Sequence, residues 1–216
     1  MNYNEMANNK AYLRGAVVAK PQFSHEVMGE GFYEFTLAIS RLSGEEDMIP
    51  VTISERIMKD ADLSVGSVVT VAGQFRSYNK PEDGRSKLML TVFARELPEN
   101  DYSKNPNVIE LVGYVCKKPV YRTTPFRREI CDVLLAINRA YNKSDYIPMI
   151  CWGRNARFAG DFAVGQKVAV TGRIQSRNYT KMQGEEQVLK TAFEVSAAKI
   201  EAVDEEPTKV SAEVGF

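Results

Sequence analysis

Hydrophobic and polar residues alternate with a period of two through most of the second half of the chain, where many apolar positions are β-branched. Such alternation is typical of strands that bury one face in a core. The pattern predicts strands at Ile109–Cys116, Ile130–Asn138, Tyr146–Trp152, Lys167–Asn178 and Val188–Ile200. One stretch, Arg154–Phe162, instead spaces its apolar residues for one face of a short helix. The first half repeats this order, with Arg56–Leu63 as its helix.

The two halves are copies of each other at a nearly constant displacement. Leu13–Val17 aligns with Leu111–Val115, 98 residues later, and Val65–Gly66 aligns with Val164–Gly165 at 99, after one inserted residue. A solenoid needs three or more shorter units, so two copies of this length indicate two domains.

Five strands with one helix between the third and the fourth is the order of the OB fold. The predicted fold class is therefore all-β with a minor helix, built as two tandem five-stranded OB-fold barrels. Gly15 and Gly113 lie in the first strand of each copy, where a kink or bulge lets that strand pair with both sheets. The predicted domains are 1–100 (first barrel, with a degenerate binding face), 101–107 (linker), 108–202 (second barrel, with the main binding face) and 203–216 (acidic tail).

Charge is distributed unevenly although the net charge is zero. Residues 1–105 carry a net charge of −3, residues 106–200 carry +7, and residues 201–216 carry −4. A basic segment between acidic ones points to an anionic partner for the second barrel. An ordinary solvated surface is the alternative explanation of the same excess.

Residues suited to catalysis or metal binding are scarce. His25 is the only histidine, and there is no Gly-rich phosphate loop or GxSxG motif. Cys116, Cys131 and Cys151 form no CxxC pair and fit β-strand positions in a reducing cytoplasm. We therefore expect no enzyme, no cofactor and no metal. No apolar run approaches the ~20 residues of a membrane span, so we expect a cytoplasmic protein without a membrane partner.

The third and fourth strands of the second copy each offer a face suited to a nucleic-acid strand. By strand parity, Tyr146 and Trp152 share one face of the third strand, and Arg173, Arg177 and Tyr179 share one face of the fourth. Cations would meet phosphates and aromatic rings would stack on bases, which tolerates any sequence. A core position is the alternative for Trp152, the only tryptophan of the chain.

Other candidate binding residues lie at strand ends, in a loop and in the first copy. They are Arg139 and Arg154; Tyr121, Arg122, Phe126, Arg127 and Arg128 of the YRTTPFRR loop; Lys181; and Arg76, Tyr78 and Lys80. In the first copy, Met48 and Ser54 replace Tyr146 and Trp152 and cannot stack on bases. We therefore expect a weaker secondary surface there, or a barrel used chiefly for assembly.

The second copy resembles the bacterial single-stranded DNA-binding protein family. The resemblance rests on Leu111–Gly113 with Lys118-Pro119, Leu135–Arg139, Asp145–Pro148, Cys151–Ala156, Val164-Gly165 and Thr171–Arg177, continuing to Tyr179. It implies sequence-tolerant binding and protection of single-stranded DNA in replication, recombination and repair. It also implies that Tyr146, Trp152 and Tyr179 stack on bases and that Arg154 and Arg177 meet phosphates.

The resemblance carries expectations about assembly and partners as well. This chain resembles the two-domain form of the family, which implies a homodimer with four OB folds. The family's tail is usually an acidic run ending in Ile-Pro-Phe that recruits replication and repair proteins. Here the tail is acidic and ends in Phe216 but lacks the Ile-Pro pair, so a frayed terminus is the alternative to recruitment.

Two other functions fit the same residues. An RNA-binding OB protein would differ in its contacts to the 2′-hydroxyl, which a protein sequence does not reveal. A primosomal-type OB scaffold would use its barrels mainly to contact other proteins, with its outer aromatic residues buried against a partner. The family resemblance favours single-stranded DNA and a bacterial, nucleoid-associated location.

Overall fold

The computed structural model describes residues 7–82, 84–99, 105–183 and 186–203, which form twelve strands and two short helices. The strands are β1 (Asn9–Val17), β2 (Gln22–Val27), β3 (Glu30–Ser40), β4 (Glu46–Ser54), β5 (Val68–Glu82), β6 (Arg85–Glu96), β7 (Asn107–Val115), β8 (Val120–Thr123), β9 (Glu129–Arg139), β10 (Lys143–Trp152), β11 (Lys167–Gln183) and β12 (Glu186–Ala202). The helices are α1 (Glu55–Met58) and α2 (Arg154–Gly160). Most of the expected linker, residues 101–104, and of the tail, residues 204–216, lies outside the described residues.

Each half closes into a barrel because its first strand pairs with strands of both sheets. β1 pairs with β3 and β5, and β7 pairs in the same way with β9 and β11. Parallel pairing of β4 with β6 and of β10 with β12 completes each barrel. Alternate residues of β1 and β7, including Leu13 and Leu111, are buried in the core. The predicted all-β class with two tandem OB-fold barrels is confirmed.

Close backbone contact explains the glycine in each first strand. A Cβ atom on Gly113 would lie 2.6 Å from the carbonyl oxygen of Ala136, and one on Gly15 would lie 2.5 Å from that of Ala38. Both distances are shorter than any real contact, so only glycine lets β7 and β1 approach β9 and β3 this closely. The register shifts lie in other strand pairs, namely β2–β3, β5–β6 and β11–β12.

The elements differ from those predicted in three respects. β2 and β8 are additional strands whose residues are all exposed, so they lack the alternation that marks a strand. β11 and β12 continue beyond their predicted ends as a long hairpin. Both helices are shorter than predicted, yet Leu63 and Phe162, placed at their expected ends, are still buried in the core.

The two barrels meet along a seam, which we define as the β1–β7 contact and the side-chain contacts beside it. β1 and β7 pair antiparallel, so twelve strands form one continuous sheet. The backbone N–H of Arg14 donates to the carbonyl oxygen of Pro106 at 2.7 Å, and that of Val112 donates to the carbonyl oxygen of Asn8, also at 2.7 Å. These matched contacts relate the two barrels by an approximate twofold axis.

A second pair of matched contacts spans the same seam. The Asp47 carboxylate accepts a hydrogen bond from the backbone N–H of Ser176 at 2.7 Å, and that of Asp145 accepts one from Ser77 at 2.8 Å. Both carboxylates are almost fully buried. Each barrel is therefore held against the other by a buried acid, Asp47 after the β3–β4 turn and Asp145 after the β9–β10 turn.

Candidate nucleic-acid interface

The predicted binding face of the second barrel is continuous across three strands. Ile150 of β10 pairs with Ser196 of β12, and Ser196 also pairs with Arg173 of β11. Strand parity then places Trp152 and Tyr146 of β10 on the same side as this row. The sequence predicts the faces of β10 and β11 separately, and the sheet joins them into one surface.

Three aromatic side chains of this surface are open to solvent. Tyr146 is 46% exposed, Trp152 is 40% exposed and Tyr179 is 37% exposed. Trp152 is therefore not a core residue. Gly153, with φ of 53°, turns the chain from β10 into α2 directly after Trp152, which leaves the indole at the rim of the barrel.

Arginines accompany these rings. The guanidinium carbon of Arg177 lies 5.9 Å from the centre of the Tyr179 ring. Within the described residues, Arg154, Arg173 and Arg177 have no carboxylate partner, and Arg154 and Arg177 are exposed. Cations without carboxylate partners beside exposed rings can bind phosphates while the rings stack on bases. The backbone of Lys181 continues β11, and its side chain lies outside the described part of the structure.

The five candidate residues of β8 and of the turn that follows it fall into two groups. Phe126, Arg127 and Arg128 are exposed at the turn, where Arg127 has a positive φ of 57°. Arg122 forms an ion pair of 2.9 Å with Asp132, and Tyr121 lies on β8 beside α2. The two groups therefore differ in how freely their side chains could meet a ligand.

Glu129, which the sequence pattern does not single out, organises the second group. Its carboxylate accepts a hydrogen bond from the Tyr121 hydroxyl at 2.6 Å and is also bonded by Nε and Nη2 of Arg157 in α2. Arg157 first, and then Tyr121, lower the pKa of Glu129 from 4.5 to about 2. Its backbone carbonyl accepts from Gly153, next to Trp152. Glu129 thus ties β8, α2 and the end of β10 together.

The corresponding face of the first barrel is basic, and two arginines cover its Phe93 ring. The Arg76 guanidinium lies 4.0 Å from the centre of the Phe93 ring, and Arg95 lies 5.3 Å from the same ring. Both arginines occupy the surface that a base would need for stacking. Tyr78 is 41% exposed, and Lys80 is exposed near the end of β5.

Arg139 lies away from Trp152. It ends β9 and pairs with the start of β10, whereas Trp152 at the other end of β10 pairs with Ile130. The Arg139 guanidinium instead approaches the buried Asp145 at 3.5 Å and faces the first barrel. The sequence does not indicate this position because it depends on how the two barrels pack.

Metal-ligand clusters and membrane-spanning helices are both missing from the described part of the chain. Nowhere in 7–82, 84–99, 105–183 and 186–203 do three or more His, Cys, Asp or Glu residues form a group suited to a metal ion. Over the same ranges, no helix has the length and apolar character that crossing a membrane requires.

Comparison with known proteins finds a family match and similar curated proteins. A family model described as the single-strand binding protein family matches residues 106–203. The single-stranded DNA-binding protein 1 of Streptococcus pyogenes serotype M18 is 34% identical over 86 residues, which are 37% of this chain and 66% of that protein. The single-stranded DNA-binding protein A of Bacillus subtilis is also 34% identical over 86 residues, 50% of its length. The chain thus spans between half and two thirds of these curated relatives.

The arrangement of both barrels also occurs in a solved structure. The wild-type single-stranded DNA binding protein from Thermus aquaticus superposes with a TM-score of 0.73, covering 96% of this chain and 98% of that one. The sequence identity is 20%, so this likeness shows a shared fold.

Proposed function

Because residues 106–203 match the single-strand binding protein family, we propose that the chain belongs to this family and binds single-stranded DNA irrespective of sequence. It does so without chemical change, and it protects exposed strands in replication, recombination and repair in the bacterial cytoplasm, at the nucleoid. The observation that carries the proposal is the row of exposed aromatic residues, with arginines that have no carboxylate partner, on the barrel that matches the family.

The second barrel, residues 108–202, makes the main contacts in this proposal. Trp152, Tyr146 and Tyr179 stack on bases, each stacked base being worth about 1–3 kcal/mol. The phosphates lie against the arginines of the same face and against the turn after β8. The arginines of the face are Arg154, Arg173 and Arg177, and the turn contributes Phe126, Arg127 and Arg128. Lys181 lies beyond them, and Tyr121 and Arg122 lie at the edge.

The first barrel, residues 1–100, forms a secondary surface. Because Arg76 and Arg95 cover Phe93, this barrel offers phosphates a counter-charge and offers bases little to stack on. Its contacts with DNA are therefore more salt-sensitive and weaker than those of the second barrel.

A homodimer with four barrels is the proposed assembly. The outer face of the β5–β1–β7–β11 sheet carries small apolar side chains that are half-buried in the single chain, and a second copy would complete their burial. They are Ala72, Val108, Val112 and Ala169. Recruitment of replication and repair proteins by the acidic tail ending in Phe216 stays a prediction, because residues 204–216 lie outside the described part.

The test is the anisotropy of a labelled oligo-dT strand titrated with the protein at several salt concentrations. The expected result is tight binding that weakens with a log–log slope of about −0.7 per phosphate contacted, with much weaker binding of a duplex of equal length. Equal affinity for strand and duplex, or no binding of the strand at micromolar protein, would overturn the proposal. Tighter binding of oligo-U than of oligo-dT would favour RNA as the ligand.

A further inference from the structure

A cavity of about 550 Å³ opens beside the seam on the side of the first barrel. Arg76, Tyr78 and Lys80 of β5 line it, and Arg139 reaches it from the second barrel. Among the described residues of its lining, three cations stand against a single carboxylate, that of Glu34. The cavity is therefore electropositive and is built from both barrels.

The charge of Arg76 is poorly compensated. Its Nη2 donates to the Gln74 side chain at 2.8 Å, and its Nε is buried without a hydrogen-bond partner. Burial first, and then the nearby Arg95 and Arg139, lower the pKa of Arg76 to about 10, and the attraction of the Asp145 carboxylate offsets these effects only in part. An unsatisfied buried donor within a cluster of cations is costly, and an anion in the cavity would supply the missing hydrogen bond and relieve the repulsion.

At the equivalent place on the other side of the seam, the matching side chains are already bonded to partners within the protein. The repeat puts Gln175 where Arg76 lies, and its amide donates to Glu194 at 2.7 Å. Arg41 takes the place of Arg139, but it is bonded to Asp47 and to the carbonyl oxygen of Ser176. By contrast, Arg139 approaches its acid only to 3.5 Å. The approximate twofold symmetry is thus broken in favour of an anion on one side.

The aromatic face of the second barrel leads to this cavity. Tyr146 and Trp152 are six residues apart on β10, about 20 Å in an extended strand. The backbone N–H of Tyr146 donates to the Ser77 hydroxyl at 2.8 Å, so Tyr146 lies at the seam. Ser77 itself lines the cavity, between Arg76 and Tyr78. A strand that passes from Trp152 to Tyr146 therefore arrives at Arg139 and Arg76.

We propose that Arg76 and Arg139 together bind a backbone phosphate, so that the DNA strand passes from the second barrel to the first through this cavity. The proposal rests on the function proposed above and adds a route for the strand. The matching position at Gln175 binds no phosphate, so the strand crosses the seam asymmetrically.

The experiment compares Arg76→Gln, which copies the residue of the second barrel, with the unsubstituted chain. Two oligo-dT strands are used, one of about 8 nucleotides that fills one barrel and one of about 30 that reaches both. Trp152 quenching by the short strand reports on the second barrel, so Arg76→Gln should change it far less than it changes binding of the long strand. For the long strand, the salt slope should become shallower by about 0.7 for each phosphate that is no longer bound.

Two further variants keep the result specific. Arg76→Lys keeps the charge and should keep the long-strand slope, which separates removal of the phosphate-binding charge from misfolding. Lys199→Gln removes one exposed charge that pairs with Glu201 outside the cavity, and it should change neither strand's binding. The unfolding temperature of each variant confirms that it is folded.

Two results would overturn the proposed passage of the strand between the barrels through this cavity. They are an unchanged long-strand slope in Arg76→Gln, or an equal loss of affinity for both strands. If inorganic tripolyphosphate raises the unfolding temperature in an Arg76-dependent way while the strand slopes stay unchanged, the cavity binds free polyanions instead. If the unsubstituted chain binds neither strand, the proposed function itself fails, and the crossing fails with it.

Discussion

The two buried acids of the seam occupy equivalent positions but should respond oppositely to substitution. Asp47 accepts hydrogen bonds from Arg41 Nε at 2.8 Å, from Arg41 Nη2 and from the Ser176 backbone at 2.7 Å. Its side chain is 1% exposed and that of Arg41 is 18% exposed. Asp145 has the same backbone bond, but Arg139 lies 3.5 Å away and its Oδ2 is buried without a hydrogen-bond partner.

Asp47→Asn should therefore destabilise the protein strongly. Removing one member of a buried ion pair costs about 3–5 kcal/mol. The lower end applies here because Arg41 keeps its bond to Glu45 and some contact with solvent. A loss of about 3 kcal/mol should move the urea midpoint down by roughly 1–1.5 M, given m-values of about 2–3 kcal/mol/M.

Asp145→Asn should be neutral or stabilising at pH 7. Burial raises the pKa of the Asp145 carboxyl above its ordinary value of 3.8, outweighing the Ser77 hydrogen bond and the attraction of Arg139. A raised pKa means that this group favours folding below about pH 4 and that the advantage is lost as the pH rises through the folded-state pKa. Asparagine keeps an acceptor for Ser77 and removes the buried charge.

The assay is urea denaturation followed by far-UV circular dichroism at pH 5, 6 and 7. The expected result is a lower midpoint for Asp47→Asn at each pH and an unchanged or higher midpoint for Asp145→Asn at pH 7. Equal losses for the two variants would show that both acids are equally paired, and the asymmetry of the seam would then be wrong.

Further outcomes are expected from five substitutions, at Glu129, Gly113, Gly160, Val112 and Trp152. Glu129→Gln should remove the part of the thermal stability that is present above pH 4.5 and is lost as the pH falls towards 2, measured as unfolding temperature against pH. Gly113→Ala should lower the free energy of unfolding by more than about 1 kcal/mol, because the new Cβ would meet a carbonyl oxygen at 2.6 Å. Gly160→Ala in α2 should leave the free energy of unfolding unchanged or raise it, because its nearest contact would be at 3.4 Å. Chemical denaturation measures both. Val112→Glu should convert the proposed dimer into a two-barrel monomer in sedimentation equilibrium. Trp152→Ala should weaken oligo-dT binding by about 1–3 kcal/mol in anisotropy titrations.

The barrels and their exposed aromatic face were predictable because local patterns encode them. Alternation along β10 assigns Trp152 and Tyr146 to one side, and the repeat supports each strand twice. The short helix is predictable for the same reason, since its apolar spacing differs from that of the strands.

The contacts of Glu129 and Arg139 were not predictable, because they depend on residues far away in the chain. Glu129 meets Arg157 only once α2 has packed beside β8 and β9. Arg139 faces Arg76, 63 positions earlier, only because β1 and β7 bring the barrels together. No local sequence pattern around an arginine at a strand end predicts which barrel its side chain will face.

The most direct test of the central claim uses the single tryptophan as a reporter of base stacking. Oligo-dT is titrated into the protein while the fluorescence of Trp152 is recorded, with an equal-length duplex as control. We expect strong quenching by the strand, little by the duplex, and recovery of the signal as salt is added. Binding of the strand detected by anisotropy without any change in Trp152 fluorescence would contradict stacking on this residue, and with it the proposed binding face of the second barrel.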